Sequence, residues 1–236
     1  MENLGDAGKK ALLIALMMAI LTGVAQGEVI TRLPTQEKVV ALTFDACETR
    51  SPAFFDRKIV DYLLANEIPA TIFVSGRFAR RNAAELARLA AYDFIEIENH
   101  SLNHPQHMER LKPEEIRDEV LANEQLLVEI TGQKTRFFRF PAGNYDQATL
   151  AAVEALGYQV VHWTFPSGDP DRSLSPAKLQ GWVLSKVRAG SILIFHINGR
   201  GYATGAALPQ IVSTLQQKGY RFVKLADIWP PPEPEP

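Results

Sequence analysis

Apolar positions along the chain follow two alternating rhythms. Short unbroken apolar runs read as buried strands, and stretches with apolar residues three and four apart read as amphipathic helices. The runs predict strands at Val39–Asp45, Ala70–Ser75, Phe94–Glu98, Arg136–Phe140, Tyr158–Phe165, Ser191–His196 and Arg221–Leu225. Helices are expected at Asp56–Glu67, Asn82–Ala91, Pro113–Ile130, Gln147–Leu156, Pro176–Val187 and Leu208–Lys218. Their ends carry ordinary signals: Pro113 opens the longest helix and Gly132 follows it, the usual asymmetry of helix termini. Phe94–Glu98 alternates apolar and acidic residues, so one of its faces is expected to be polar. Strand and helix in turn imply a parallel sheet with right-handed crossovers. The expected fold class is α/β: a distorted or incomplete (β/α) barrel of about seven parallel strands in a single domain. No glycine-rich phosphate loop follows the first strand, which argues against a nucleotide-binding fold.

The two ends of the chain break this rhythm. Lys9 and Lys10 precede an apolar stretch, Ala11–Val24, and then come Ala25, Gln26 and Gly27. Basic, apolar and small residues in that order form a secretory signal pattern. The alternative, a membrane anchor, is less favoured because a spanning helix needs ~20 apolar residues. Residues 1–27 are therefore expected to be a cleaved signal peptide, 28–229 the folded domain and 230–236 a solvated Pro/Glu tail. A periplasmic or secreted protein follows, with no stable membrane anchor after cleavage. The net charge of −2 over 236 residues points to no nucleic-acid partner. With Cys47 as the sole cysteine, no internal disulfide is expected.

Reactive residues cluster where the predicted strands end: Asp45, His100, Arg139, Asp169 and His196. Parallel strands place their carboxyl ends on one face, so these side chains are expected to converge. His100 and His104 are four apart, a spacing that lets two imidazoles share a metal. A lone His pair is as readily structural, and Asp45 could equally cap a turn. His196 alone reads as a core histidine, and Asp169 between Gly168 and Pro170 as a turn residue. Arg139 offers a fixed fork for carboxylates, Asp169 among them. Pro141 and Gly143 force a tight turn that can aim a backbone N–H into the site. His107 reads as loop surface.

ThrPheAsp (43–45), HisSerLeuAsnHis (100–104), ArgPheProAlaGly (139–143), GlyAspPro (168–170) and LeuIlePheHis (193–196) occur in that order. Together they resemble the five motifs of the polysaccharide deacetylases, the NodB-homology family of carbohydrate esterases, over roughly residues 36–227. The resemblance implies a distorted β/α barrel whose divalent metal, zinc in the first instance, helps hydrolyse N-acetyl groups on a glycan such as peptidoglycan or an exopolysaccharide. It implies Asp45 as general base and His196 as general acid. It further implies His100 and His104 as metal ligands, Arg139 as the residue orienting the base, and Asp169 as the acid holding Arg139. The backbone N–H of Ala142 takes the oxyanion position.

One position departs from the family. The first motif usually carries a second, metal-binding aspartate, where this chain has Ala46. If the chain stays extended, residues 46 and 48 face the same way, so Glu48 is a candidate third ligand. The lost aspartate also motivates an alternative, a non-catalytic glycan-binding barrel. A thiol enzyme using Cys47 is a third reading, disfavoured because a neighbouring carboxylate raises a thiol pKa. Trp163, Phe165 and Tyr202 are candidates for stacking on sugar rings, although such aromatics are more often packing residues.

Overall fold

The computed structural model describes residues 27–230. The expected signal segment and Pro/Glu tail lie essentially outside the described residues. Seven parallel strands form one sheet: β1 Val39–Ala46, β2 Ala70–Val74, β3 Ile95–Asn99, β4 Phe137–Phe138, β5 Gln159–Val160, β6 Ile192–His196 and β7 Arg221–Val223. The order is β5-β4-β3-β2-β1-β6, with β7 paired to the start of β1. Seven helices connect them: α1 Arg57–Ala65, α2 Gly76–Arg81, α3 Ala83–Ala90, α4 Pro113–Thr131, α5 Gln147–Glu154, α6 Pro176–Lys186 and α7 Thr204–Gln217. The sheet curls into a half-barrel. Isolated parallel bridges, Ile30 to Val161 and Phe165 to Leu193, draw its outer strands toward each other.

The alternation of β1 organises the interior. Val40, Leu42, Phe44 and Ala46 pack outward in the layer shared with the helices, together with Ile59, Leu63, Leu208 and Ile211. Val39 and Ala41 pack with Leu33, Phe73, Phe137 and Val161 inside the barrel. Two residues further along the inward face come Thr43 and then Asp45, so the lining turns polar toward the carboxyl end. Full burial of a large aliphatic or aromatic side chain stabilises by roughly 1.5–3 kcal/mol, and this layered core holds the mouth in shape.

Most predicted elements appear within a few residues of their expected bounds. α1 is capped by Asp56, whose side chain accepts the Lys58 N–H, and α6 by Ser175, which accepts that of Lys178. α4 ends on Gly132 at φ +73°, the left-handed cap that glycine adopts without penalty. Four differences have physical causes. α2 was not expected. It turns directly off β2, with Gly76 so close to Leu102 and Asn123 that a Cβ would lie 2.6 Å from the Leu102 side chain. Asn82 stands at the N-cap of α3, where the sequence places it, but its side chain makes no capping bond and donates instead to the Phe78 and Ala53 carbonyls at the α2–α3 junction. β5 is only two residues long, because beyond Val161, whose N–H still bonds the Phe138 carbonyl of β4, His162 and Thr164 donate to the Ile30 and Ile192 carbonyls instead. α7 begins at Thr204, four residues before the expected Leu208, and carries Pro209 inside it.

The expected polar face of β3 is polar but not solvated. Glu96 and Glu98 are both buried. Glu98 accepts the backbone N–H groups of Arg136 and Phe137 at 2.8 and 2.7 Å. Glu96 accepts Thr71 Oγ1 at 2.6 Å and the N–H groups of Leu225 and Ala226. These carboxylates stitch β3 to the segments entering β4 and leaving β7, supplying acceptors the short strands cannot. Burial, followed by the charge of Glu96, pushes the Glu98 pKa well above the usual carboxylate range. The folded protein then retains a proton that the unfolded chain releases. Its contribution is complete below the unfolded pKa and is lost as pH rises through the folded one. We expect the urea midpoint to fall as pH rises above the usual carboxylate range, and this slope to flatten in Glu98→Gln. Glu98→Ala, which strands two N–H groups, should cost roughly 2–4 kcal/mol by the same measurement.

Candidate active site

Asp45 and His196 stand at the ends of β1 and β6 and are register partners in that parallel pair. His100 follows β3 directly, Arg139 follows β4, and Asp169 lies in the loop beyond β5. The predicted convergence at the carboxyl ends of the strands is therefore realised. A cavity of about 280 Å³ opens there, lined by Asp45, His104, Ala142, Trp163, Asp169 and His196 among others.

Arg139 is fully enclosed, with no exposed surface. Its Nη1 donates to Asp45 Oδ1 at 2.8 Å, and its Nη2 to Thr43 Oγ1 and the His162 carbonyl at 2.9 Å each. Nε donates to the Val161 carbonyl at 3.2 Å, and the guanidinium lies 4.0 Å from the Phe73 ring centre. Burial alone would raise the Asp45 pKa, but Arg139, His100 and His196 outweigh it and bring it down to about 2. Asp45 is thus ionised and aimed at every physiological pH.

The Arg139 carbonyl does separate work. His100 Nδ1 donates to it at 2.8 Å, which leaves His100 Nε2 as a lone-pair acceptor. That Nε2 is buried and without a hydrogen-bond partner, 3.6 Å from Asp45 Oδ2. His104 packs edge-on against His100 with ring centres 4.8 Å apart, and its Nδ1 is also buried and unpartnered. Burial, then the neighbouring His100, lowers the His104 pKa to about 3, and burial lowers that of His100. Both rings are therefore neutral, the form in which imidazole binds metal.

The loop that carries them is held from behind. Asn99 Oδ1 accepts the Ser101 N–H and Asn123 Nδ2, and Ser101 Oγ accepts the His104 N–H. Ser101 and His104 have φ of +64° and +56°, and Ala142 has +56°. Three of the four left-handed non-glycine residues among the described residues thus belong to the loops of this mouth. Such strain costs of order 1–3 kcal/mol per residue and persists where surrounding structure fixes it. At Ala142 the turn's hydrogen bonds run from Gly143 to Phe140 and from Asn144 to Pro141, passing over the Ala142 N–H. A Cβ on Gly143 would sit 2.7 Å from the Trp163 ring, so glycine lets the indole cover the turn.

Two expectations need correction. Asp169 does not hold Arg139. Its Oδ1 accepts His196 Nδ1 at 2.8 Å and its Oδ2 accepts the His196 backbone N–H at 2.7 Å and Thr204 Oγ1 at 2.8 Å. The loop after β5 folds back to β6, while β1 and β5 supply the partners of Arg139. Burial alone would lower the His196 pKa, but the hydrogen bond and charge of Asp169 more than reverse it, so it is raised. Glu48 does not reach the histidines either. β1 ends at Ala46, and beyond it the Glu48 carboxylate turns to Arg81, which binds both its oxygens, Nη2 at 3.0 Å. It also accepts the Ala53 N–H. Ala46 itself packs in the outer layer.

These residues fit a divalent ion as a reduced set: two neutral imidazoles with unpartnered nitrogens, and Asp45 Oδ2 beside them. No cluster of three or more metal-ligating side chains occurs among the described residues. Cys47 is no nucleophile here: burial, then Asp45, pushes its thiol up to about 11. Of the aromatics, Trp163 lines the cavity, Phe165 packs against the outer core and Tyr202 is exposed beneath Arg172. His107 lies on the surface against Glu109. Sequence reasoning missed His162, buried and stacked on Trp163 at 5.1 Å, and Arg200, which lines the cavity. His162 was readable only as context for a loose motif, and Arg200 lies in an Asn-Gly-Arg-Gly loop with no pattern.

A parallel half-barrel of this kind is also the fold of a solved family 4 carbohydrate esterase of Bacillus anthracis. The chain belongs to the polysaccharide deacetylase family, which its residues 32–161 match. It is 30% identical over 207 residues to a chitooligosaccharide deacetylase of Bradyrhizobium, covering 80% of this chain and 90% of that one. It is 28% identical to a peptidoglycan-N-acetylglucosamine deacetylase of Bacillus cereus, covering 86% and 93%. Among solved structures, the Bc1960 peptidoglycan N-acetylglucosamine deacetylase superposes with a TM-score of 0.78 at 26% identity, covering 87% and 94%. A mutant of the family pseudoenzyme BA3943, described as having restored enzymatic activity, superposes at 0.75 with 26% identity, covering 85% and 71%.

Two outcomes follow from this geometry. Asp169→Asn should lower the His196 pKa, read from its imidazole proton shifts by NMR across a pH titration, because a stabilising negative charge is lost. Glu48→Gln should leave zinc affinity, measured by calorimetry, within about twofold of wild type, since its carboxylate faces Arg81 rather than the imidazoles.

Proposed function

We propose that the chain is a metal-assisted hydrolase that removes N-acetyl groups from an extracytoplasmic glycan, peptidoglycan or an exopolysaccharide. Residues 28–229 form the catalytic unit and residues 1–27 a cleaved export signal. One observation carries the reading: an ionised, clamped carboxylate and a protonation-prone imidazole are adjacent in one ladder and share one cavity. A binding module needs neither of those opposite pKa shifts. No helix among the described residues is long and apolar enough to cross a membrane.

His100 and His104, with Asp45 Oδ2 beside them, would hold the divalent ion, zinc in the first instance. When bound, it lowers the pKa of a water toward ~7. Asp45, oriented by Arg139, accepts the proton of the attacking water. A carboxylate this acidic is a weak base, so its contribution lies in being ionised and fixed. The Ala142 N–H binds the acetyl oxygen as negative charge develops there, and one such donor is worth ~3 kcal/mol. His196, kept protonated by Asp169, gives its proton to the departing nitrogen. The C–N bond breaks, leaving acetate and a free amine on the sugar.

A second reading is a glycan-binding barrel without turnover. It is favoured by Ala46, by the engagement of Glu48 with Arg81, and by the likeness to a family pseudoenzyme. Acetate release separates the two. We expect release from N-acetylglucosamine oligomers or peptidoglycan by wild type, its loss on chelation and its return with added zinc. Asp45→Asn and His196→Ala should each lower kcat by roughly 10²–10⁴-fold. No acetate from any acetylated glycan at saturating zinc would establish the binding reading instead.

A further inference from the structure

A second groove, of about 440 Å³, adjoins the catalytic cavity. Its walls are Thr49, Arg50, Arg77 and Asn103, together with His104, Gln106 and Arg200, and the last three also line the catalytic cavity. The two spaces are thus continuous past His104. Three guanidinium-bearing residues meet here, and no carboxylate lines the groove. This contrasts with a chain whose overall net charge is −2.

The nearby acids are already committed. Glu48 is held by Arg81. Glu119 is occupied with the Asn103 backbone N–H at 2.8 Å and its side-chain amide at 2.7 Å. Arg77 has only neutral acceptors, Asn103 Oδ1 at 3.3 Å and the Thr49 carbonyl at 3.4 Å. None of Arg50, Arg77 and Arg200 is in an ion pair among the described residues. Glu48 lies near Arg77 and is held by Arg81, while Asp45 and Asp169, which share the adjoining cavity with Arg200, are held by Arg139 and His196. Arginines gathered beside carboxylates already engaged elsewhere keep a raised potential for further anions. Guanidinium forks match carboxylate and phosphate oxygens, and the Thr49, Asn103 and Gln106 side chains offer the neutral polar contacts that sugar hydroxyls need.

We infer that this groove is a subsite for an acidic group on the glycan, so that the preferred substrate is an anionic polysaccharide whose acid lies beside the N-acetylated sugar. The inference rests on the deacetylase reading for what occupies the adjoining cavity. The acid is a carboxylate or a phosphate ester, since both suit the same forks.

The test compares three matched substrates with the zinc-loaded full protein: peptide-free glycan strands bearing lactyl carboxylates, the same strands with the carboxyls methyl-esterified, and O-phosphorylated strands. We expect KM for an acidic strand about tenfold below that for the ester, with the gap shrinking as salt rises. Arg77→Gln and Arg50→Gln should each raise KM for acidic strands severalfold and leave kcat within about twofold. The better of the two acidic strands identifies the acid. Calorimetry with Asp45→Asn reads binding apart from turnover. If the ester is bound and hydrolysed as well as the acids, the groove proposal is overturned and the deacetylase reading stands. If acids bind tighter than ester but wild type releases no acetate, the groove stands and the deacetylase reading fails. Arginine variants that weaken acid and ester equally would also overturn the subsite.

Discussion

A single buried cation organises this mouth. The Arg139 guanidinium enters an enclosed, largely apolar space, where an unpaired charge is very costly. It is accommodated because β1 supplies Asp45 and Thr43, and the segment after β4's neighbour supplies the Val161 and His162 carbonyls. Its own carbonyl then fixes the ring of His100. The orientation of Asp45, the imidazole tautomer and the meeting of β1 with the β5 segment are consequences of one residue finding its acceptors. Removing one partner from such a pair typically costs 3–5 kcal/mol, so structure and chemistry are hard to separate at this position.

A second pair has hydrogen bonds of its own, although the charge of His196 is also felt at Asp45. Asp169 gives one oxygen to the His196 ring and the other to its backbone N–H. The side chain is thereby anchored to the strand it serves, and the Thr204 hydroxyl joins the start of α7 to the same carboxylate. Two carboxylates in one cavity thus acquire opposite duties through their neighbours. Asp45 is held by a permanent cation, while Asp169 is spent on stabilising a titratable one.

The strand–helix rhythm and the identities of Asp45, His100, His104, Arg139, Asp169 and His196 were legible in the sequence, because each follows an apolar run or sits in a short, ordered motif. Who pairs with whom was not. Asp169 and Arg139 both sit beyond strands on the same face, and only the return of the loop to β6 decides the partner. Glu48 read as a ligand on the assumption of extended backbone, which fails once β1 ends at Ala46. Alternating acids on β3 read as a polar face, without a sign that it is buried. Their burial depends on backbone donors from residues 136–137 and 225–226, which no local pattern announces. Arg200 carried no periodic or motif signal at all, and His162 only its place ahead of a loose motif.

The side-by-side placement of Asp45 and His196 in one parallel ladder has a mechanical meaning. Their separation follows from the pitch between neighbouring strands, about 4.8 Å, and not from how any loop happens to settle. β1 is also hydrogen-bonded to β2, β6 and β7. Amide protons along it should therefore exchange with deuterium only when the whole domain opens. Thermal breathing of the surrounding loops can reshape the cavity, but Asp45 and His196 keep their spacing until the fold itself is lost.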